Sequence, residues 1–112
     1  MKKLFALLMG LVLLTTACST DPPSVRVQNL RTNKANVQIK LANSNTININ
    51  DVGAGATTSY QEIVTGSSMA TAVIQNEKDT PSAIFTADDN KNYTVVIQSG
   101  TTPTLKVDVT DK

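Results

Sequence analysis

The sequence predicts an all-β protein, a sandwich or small barrel of seven or eight strands behind a removable N-terminal leader, and three observations carry that expectation. After residue 17 the chain holds 10 Val, 7 Ile and 14 Thr against 3 Leu. Branching at Cβ stiffens χ1 and suits a pleated surface better than a helix. Short runs in which apolar and polar residues alternate recur at roughly ten-residue spacing, with Gly, Asn, Ser and Pro between them. No segment beyond the leader repeats its apolar residues at a helical period.

The leader comes first in the chain. Lys2 and Lys3 precede an apolar run, residues 4–14, with the length of a signal-peptide core and too short for a permanent membrane span. Thr15, Thr16 and Ala17 follow, and then Cys18, the only cysteine. Residues 13–19 resemble the lipobox of bacterial lipoproteins, with Thr15 where Leu is usual. The resemblance implies cleavage between Ala17 and Cys18 and a diacylglyceryl group on the Cys18 thiol. Several acyl chains on one residue anchor stably where a single chain does not. Ser19 stands where an Asp would imply retention in the inner membrane. The implied location is therefore the bacterial cell envelope, and the outer membrane if the host is Gram-negative. Thr15-x-Ala17 also suits the general signal peptidase, but that route leaves a free thiol on an exported chain.

The expected organisation is a signal peptide over 1–17, the acylated cysteine and a polar tether over 18–24, and one β domain over 25–110. The 95 residues left after cleavage suffice for one domain with a modest core. Eight basic and nine acidic residues give them a net charge of −1, with no electrostatic footprint for nucleic acid. Seven steps from Cys18 to Val25 span at most about 23 Å when extended, so the domain is expected close to its membrane.

Within the domain, Val25, Val27 and Leu30 begin a first strand with Arg26 and Gln28 on its other face, and residues 31–34 form a turn. Val37, Ile39 and Leu41 alternate with Gln38 and Lys40, the pattern of a half-buried strand. Asn43-Ser44-Asn45 punctuates a hairpin, since Asn tolerates positive φ, and Ile47 and Ile49 continue inward with Asn48 and Asn50 outward. The glycine-rich stretch 51–56 lacks the Lys-Ser/Thr of a phosphate loop and reads as a connection or bulge. Residues 58–64 form a strand, Gly66 a turn, and Ala70, Ala72 and Ile74 one face of the next strand with Val73 opposite. A charged loop over 75–81 precedes a short strand holding Ile84 and Phe85. Residues 93–97 are apolar on both parities except Thr94, as in a central strand covered on both faces. After a turn at 99–102, Leu105, Val107 and Val109 alternate with Lys106 and Asp108.

Val25-Arg-Val-Gln-Asn-Leu30, the strand from Val37 to Leu41, the G-x-x-x-x-Y element from Gly55 to Tyr60 and the closing Tyr93-Thr-Val-Val96 resemble, in this order, a family of small bacterial exported domains known as domain of unknown function forty-three ninety-seven. The resemblance covers residues 25–100. It implies a single immunoglobulin-like or transthyretin-like β-sandwich of seven or eight antiparallel strands, without an established activity.

The chain has no His and one Cys, which removes His and Cys metal sites, Ser-His triads and Cys-His nucleophiles. No cofactor motif is present, and the expectation is a protein without enzymatic activity. Asp88, Asn90 and Asn92 have the spacing that opens a calcium loop. Tyr93 occupies the position that needs Gly, and Ser99 that of the bidentate Glu, so a solvated hairpin loop is expected there, with calcium or a small ligand as the alternative. A hydrolase using Asp51 or Asp88 has the least support. Tyr60 and Tyr93 are expected to bury their rings and to send their hydroxyls to a backbone partner at a corner. Together these readings predict a lipid-anchored, non-catalytic interaction or structural module. Its expected partner is an envelope protein or a polysaccharide, met through loops or an exposed edge strand.

Overall fold

In the computed structural model, which describes residues 20–112, the strands are β1 (Ser24–Asn29), β2 (Ala35–Lys40), β3 (Thr46–Val52), β4 (Gln61–Glu62), β5 (Gly66–Ile74), β6 (Ser82–Ala87), β7 (Lys91–Ile97) and β8 (Leu105–Asp111). They form two four-stranded sheets, ordered β4-β1-β7-β8 and β3-β2-β5-β6, which stack as a β-sandwich. The core follows from strand parity: Val25, Val27, Tyr93, Val95 and Ile97 from the first sheet meet Val37, Ile39, Ile49, Ala70, Ala72, Ile74 and Phe85 from the second, all buried. Ala70 and Ala72 leave room for larger partners across the gap, as layered cores require. Phe85 and Tyr93 pack with ring centroids 5.1 Å apart.

All pairings are antiparallel except β1 with β7, which run parallel from Ser24↔Asn92 to Asn29↔Ile97. Alternation along a strand fixes which face is buried and carries no information about the neighbour's direction, so the expectation of antiparallel strands throughout is corrected here. The parallel pair places β7 at the centre of its sheet between β1 and β8. Thr94 and Val96 on its outer face are buried, flanked in register by Arg26 and Gln28 on one side and Asp108 and Lys106 on the other. The expectation of a strand covered on both faces is met.

Several local expectations change. Pro23 and Ser24, assigned to the tether, are buried, because the Ile63 amide donates to the Pro23 carbonyl at 2.8 Å and sews this segment to the sheet. Leu30 lies outside β1 and is exposed, since the strand ends at Asn29. The strand expected over 58–64 shrinks to Gln61–Glu62. Above it the Val27 amide donates to the Thr58 hydroxyl at 2.9 Å, so a side chain replaces a backbone acceptor. Gly66 opens β5 with φ at +116°, and a Cβ there would lie 2.7 Å from Ala42 Cβ; the close approach of two chain segments, and not a free turn, demands glycine. In the 43–45 turn the residue at positive φ is Ser44. The bulge anticipated beside the glycines falls at Asp51, with φ +57° and a register shift against β2.

Candidate functional site

The sandwich has two unlike poles. Register places the starts of β1, β5 and β7 and the ends of β6 and β8 at one pole. Residue 20, the first described residue, emerges there; the expected signal peptide, Ala17 and Cys18 lie outside the described residues. Asn90, at φ +64°, fastens the entering chain: the Asp21 amide donates to its Oδ1 at 2.9 Å, and its own amide donates to the Asp21 carbonyl at 2.9 Å. The Lys112 amide donates to the Asn90 carbonyl, and Lys112 Nζ to the Ser24 hydroxyl at 3.1 Å. Both ends of the domain are thus tied to one corner.

That corner is the predicted ion-binding stretch. It is a crossing from β6 in one sheet to β7 in the other and not a hairpin, which corrects the expectation of a hairpin loop. Tyr93 carries the turn from inside, its buried hydroxyl accepting the Asp88 amide at 2.7 Å, as expected of a corner tyrosine. Of the three calcium-spacing residues, Asn90 already spends its side-chain oxygen on the Asp21 amide. Asn92 belongs to β7, and Asp88 is exposed. The Lys91 ammonium pairs with the Asp111 carboxylate beside them. This contact lowers the Asp111 carboxyl below the ordinary carboxylate range, and it raises the Lys91 ammonium through the same hydrogen bond and charge attraction. Among the described residues no cluster of three or more His, Cys, Asp or Glu comes together. Asp51 and Asp88, named for the hydrolase reading, stand at opposite poles.

At the far pole Arg31 gathers three loops. Its Nε and Nη2 donate to the two carboxylate oxygens of Glu77, each at 2.6 Å, while Nη1 reaches the Gln98 carbonyl at 2.7 Å and Nη2 the Gly100 carbonyl at 3.1 Å. The planar guanidinium suits this fork-on-fork contact in a way an ammonium cannot. The sequence marked Arg31 only as part of a turn. Beneath it Asn29, fully buried, donates to the Asn33 and Val52 carbonyls and accepts the Arg31 amide. Its amide serves as a polar pin with every contact satisfied.

The long side of the β3-β2-β5-β6 sheet carries an amide-rich surface. Asn36 and Gln38 from β2, Asn48 and Asn50 from β3 and Thr71 and Val73 from β5 line a shallow depression of about 280 Å³. Gln38 sits in register between Asn48 and Thr71. The Asn36 oxygen accepts the Asp51 amide at 2.8 Å, so the bulge orients one of the amides. Each side-chain amide offers donors and acceptors without charge, the complement of a hydroxyl-rich or peptide-like partner. Period-two reading had placed Asn48 and Asn50 outward; cross-strand register, invisible in the sequence, is what groups them with Gln38 and Thr71. On the opposite sheet Tyr60 is exposed, against the expectation, and the Arg26 guanidinium stands 4.6 Å from its ring centroid. The short β4 leaves the Tyr60 ring no layer to enter.

No family model matches the chain, and no curated protein matches it. Among solved structures, the NMR structure of a protein from Eubacterium rectale is similar to it, with a TM-score of 0.55 and 9% identity over 81% of this chain and 90% of that one. At that identity the likeness speaks for the fold alone, a two-sheet β-sandwich.

Proposed function

We propose that this chain is a lipid-anchored protein of the bacterial cell envelope whose β-sandwich acts as a non-catalytic interaction module. The observation that carries the reading is polarity: the segment leading back to Cys18 is fastened at Asp21 to one pole, while the Arg31 clasp fixes the loops of the other. With Asp21 held, only three steps separate the domain from an acylated Cys18, about 10 Å when extended. A module so held lies against its membrane with its side faces open. The amide surface of Asn36, Gln38, Asn48 and Asn50 then takes a neutral polysaccharide or a polar segment of an envelope protein.

Metabolic labelling with palmitate, followed by membrane fractionation, tests the anchor. The wild-type chain takes up label and fractionates with membranes, and Cys18→Ala does neither. An unlabelled wild-type chain released into the medium overturns the anchor. Capture from solubilised membranes tests the surface: the partner recovered with the wild type is lost with Gln38→Glu/Asn48→Asp, and undiminished recovery with that variant removes the amide surface from the interaction.

A further inference from the structure

The sandwich leaves four sheet edges, and three are blunted. β4 is two residues long, β3 is bent by its bulge at Asp51, and β8 carries Lys106, Asp108 and Asp111. Short edges, bulges and charges are the devices that prevent strand addition. β6, Ser-Ala-Ile-Phe-Thr-Ala, has none of them across its 6 residues, and it carries Ile84 at 72% exposure beside Met69 of β5 at 41%.

The ladder shows what this edge offers. The Ala72 amide donates to the Pro81 carbonyl, which sets the alternation of the β5–β6 pair: Ala83, Phe85 and Ala87 face β5, and the N–H and C=O groups of Ser82, Ile84 and Thr86 face outward. We infer that this edge pairs with β6 of a second copy of the chain, antiparallel and centred on Ile84, joining two four-stranded sheets into one of eight.

In that register Ile84 exchanges both hydrogen bonds with Ile84 of the second copy, and Ser82 exchanges both with Thr86, so all three outward residues are satisfied. The strip is its own complement. Ile84 and Met69 of each copy meet across the seam, small polar residues face small polar residues, and no charge in either β6 opposes another. The same operation on β8 would set Asp108 beside Asp108, a like-charge contact that disfavours it. Six residues give a seam about 20 Å long, and with a sandwich roughly 20 Å deep it covers about 800 Å² in total. A stable complex buries upwards of about 1,200 Å², so the dimer is reversible and forms where the chain is concentrated. The inference does not depend on the anchor, which would only raise the local concentration.

The test uses the full-length chain expressed in bacteria and oxidised in intact cells with diamide, with the products separated without reductant. Hydrogen-bonded antiparallel partners have Cα atoms about 5.5 Å apart, within disulfide reach. Ile84→Cys therefore gives a disulfide-linked homodimer well above the wild-type background, which accounts for Cys18. Ser82→Cys alone and Thr86→Cys alone stay at background, since each faces the other position some four residues away, whereas the two co-expressed give a mixed dimer. Adding Ile84→Lys to that pair abolishes the mixed dimer while leaving the melting temperature of the chain within about 2 °C, as at other exposed positions. Absence of the Ile84→Cys homodimer, or an equal yield from Ser82→Cys alone, overturns the pairing. A product joining Ile84→Cys only to a different protein overturns the choice of a second copy as the occupant.

Discussion

Replacing Arg31 by Ala should be the most damaging single change outside the core. The guanidinium makes four contacts to two loops besides its own, and the side chains of Arg31 and Glu77 are only 10% and 19% exposed. An exposed ion pair is worth about 0.2–1 kcal/mol, and removing one partner of a fully buried pair costs about 3–5 kcal/mol. Lying between these limits, Arg31→Ala should cost about 3 kcal/mol, because it also strands the Gln98 and Gly100 carbonyls. For a domain of this size each kcal/mol moves Tm by about 4–8 °C, so a fall of roughly 12–24 °C is expected. Glu77→Gln should cost less, about 1–2 kcal/mol, since the amide still accepts one hydrogen bond. Chemical denaturation of both single variants and the double variant gives the coupling energy, expected at about 1–3 kcal/mol, with little loss at 1 M salt because the pair is shielded from counter-ions. A coupling below about 0.5 kcal/mol, or Arg31→Lys behaving as wild type, would refute the claim that a planar fork holds this pole together.

Gly66→Ala forces a side chain into φ +116° and onto Ala42 Cβ; a loss of about 1–3 kcal/mol is expected, read by thermal melting, and an unchanged Tm would contradict the close approach. Tyr93→Phe removes the acceptor of the Asp88 amide while keeping the ring in place, so it should cost about 0.5–1.5 kcal/mol and speed hydrogen exchange at Asp88; normal protection there would show that the hydroxyl does not hold the corner. Because Lys91 lowers the Asp111 carboxyl, the stabilisation from that pair is present above the ordinary carboxylate range and disappears as pH falls through the lowered value. Asp111→Asn should accordingly lower Tm at pH 7 and not at pH 2, with the difference shrinking in high salt; an equal difference at both pH values would sink this reasoning. Asn90→Gly keeps the positive φ but deletes the oxygen that accepts the Asp21 amide, so exchange at Asp21 should accelerate with Tm nearly unchanged, and persistent protection would locate the fastening elsewhere.

Much of the fold was legible because burial on one face imposes a period of two. Val37, Ile39, Ala70, Ala72 and Ile74 are buried where alternation put them, and Val73 is exposed on the opposite face. Parity says nothing, however, about whether a facing layer exists. Val109 shares the inward face of β8 with Leu105 and Val107, yet it is 53% exposed because β8 is an edge strand. Ile84 and Phe85 show the same limit: one of two adjacent apolar residues must face outward, and only the sheet's position decides that nothing covers it. The site residues were harder to read. Arg31, Glu77 and the stretch holding Gln98 and Gly100 are separated by tens of positions and meet only through the topology. Asn29 resembles any strand-end amide until the carbonyls of residues 33 and 52 are seen beside it.

The parallel β1–β7 pair has the widest consequence for what the protein can do. Had β1 run antiparallel to β7, the entering chain would arrive at the pole of the Arg31 clasp, and any anchor would draw those loops towards its membrane. The observed direction brings the chain in beside the β6–β7 corner, where Asn90 can hold Asp21 and Lys112 can reach Ser24. Two of the fold's more specific features, a positive-φ Asn at the crossing and a tyrosine hydroxyl bracing it from the core, act on that corner and nowhere near the amide surface. The stability of the entry corner and the chemistry of the side face are therefore separable. Substitutions at Asn36, Gln38, Asn48 and Asn50 can alter the amide surface without loosening the corner, and changes at Asn90 can release Asp21 without touching that surface.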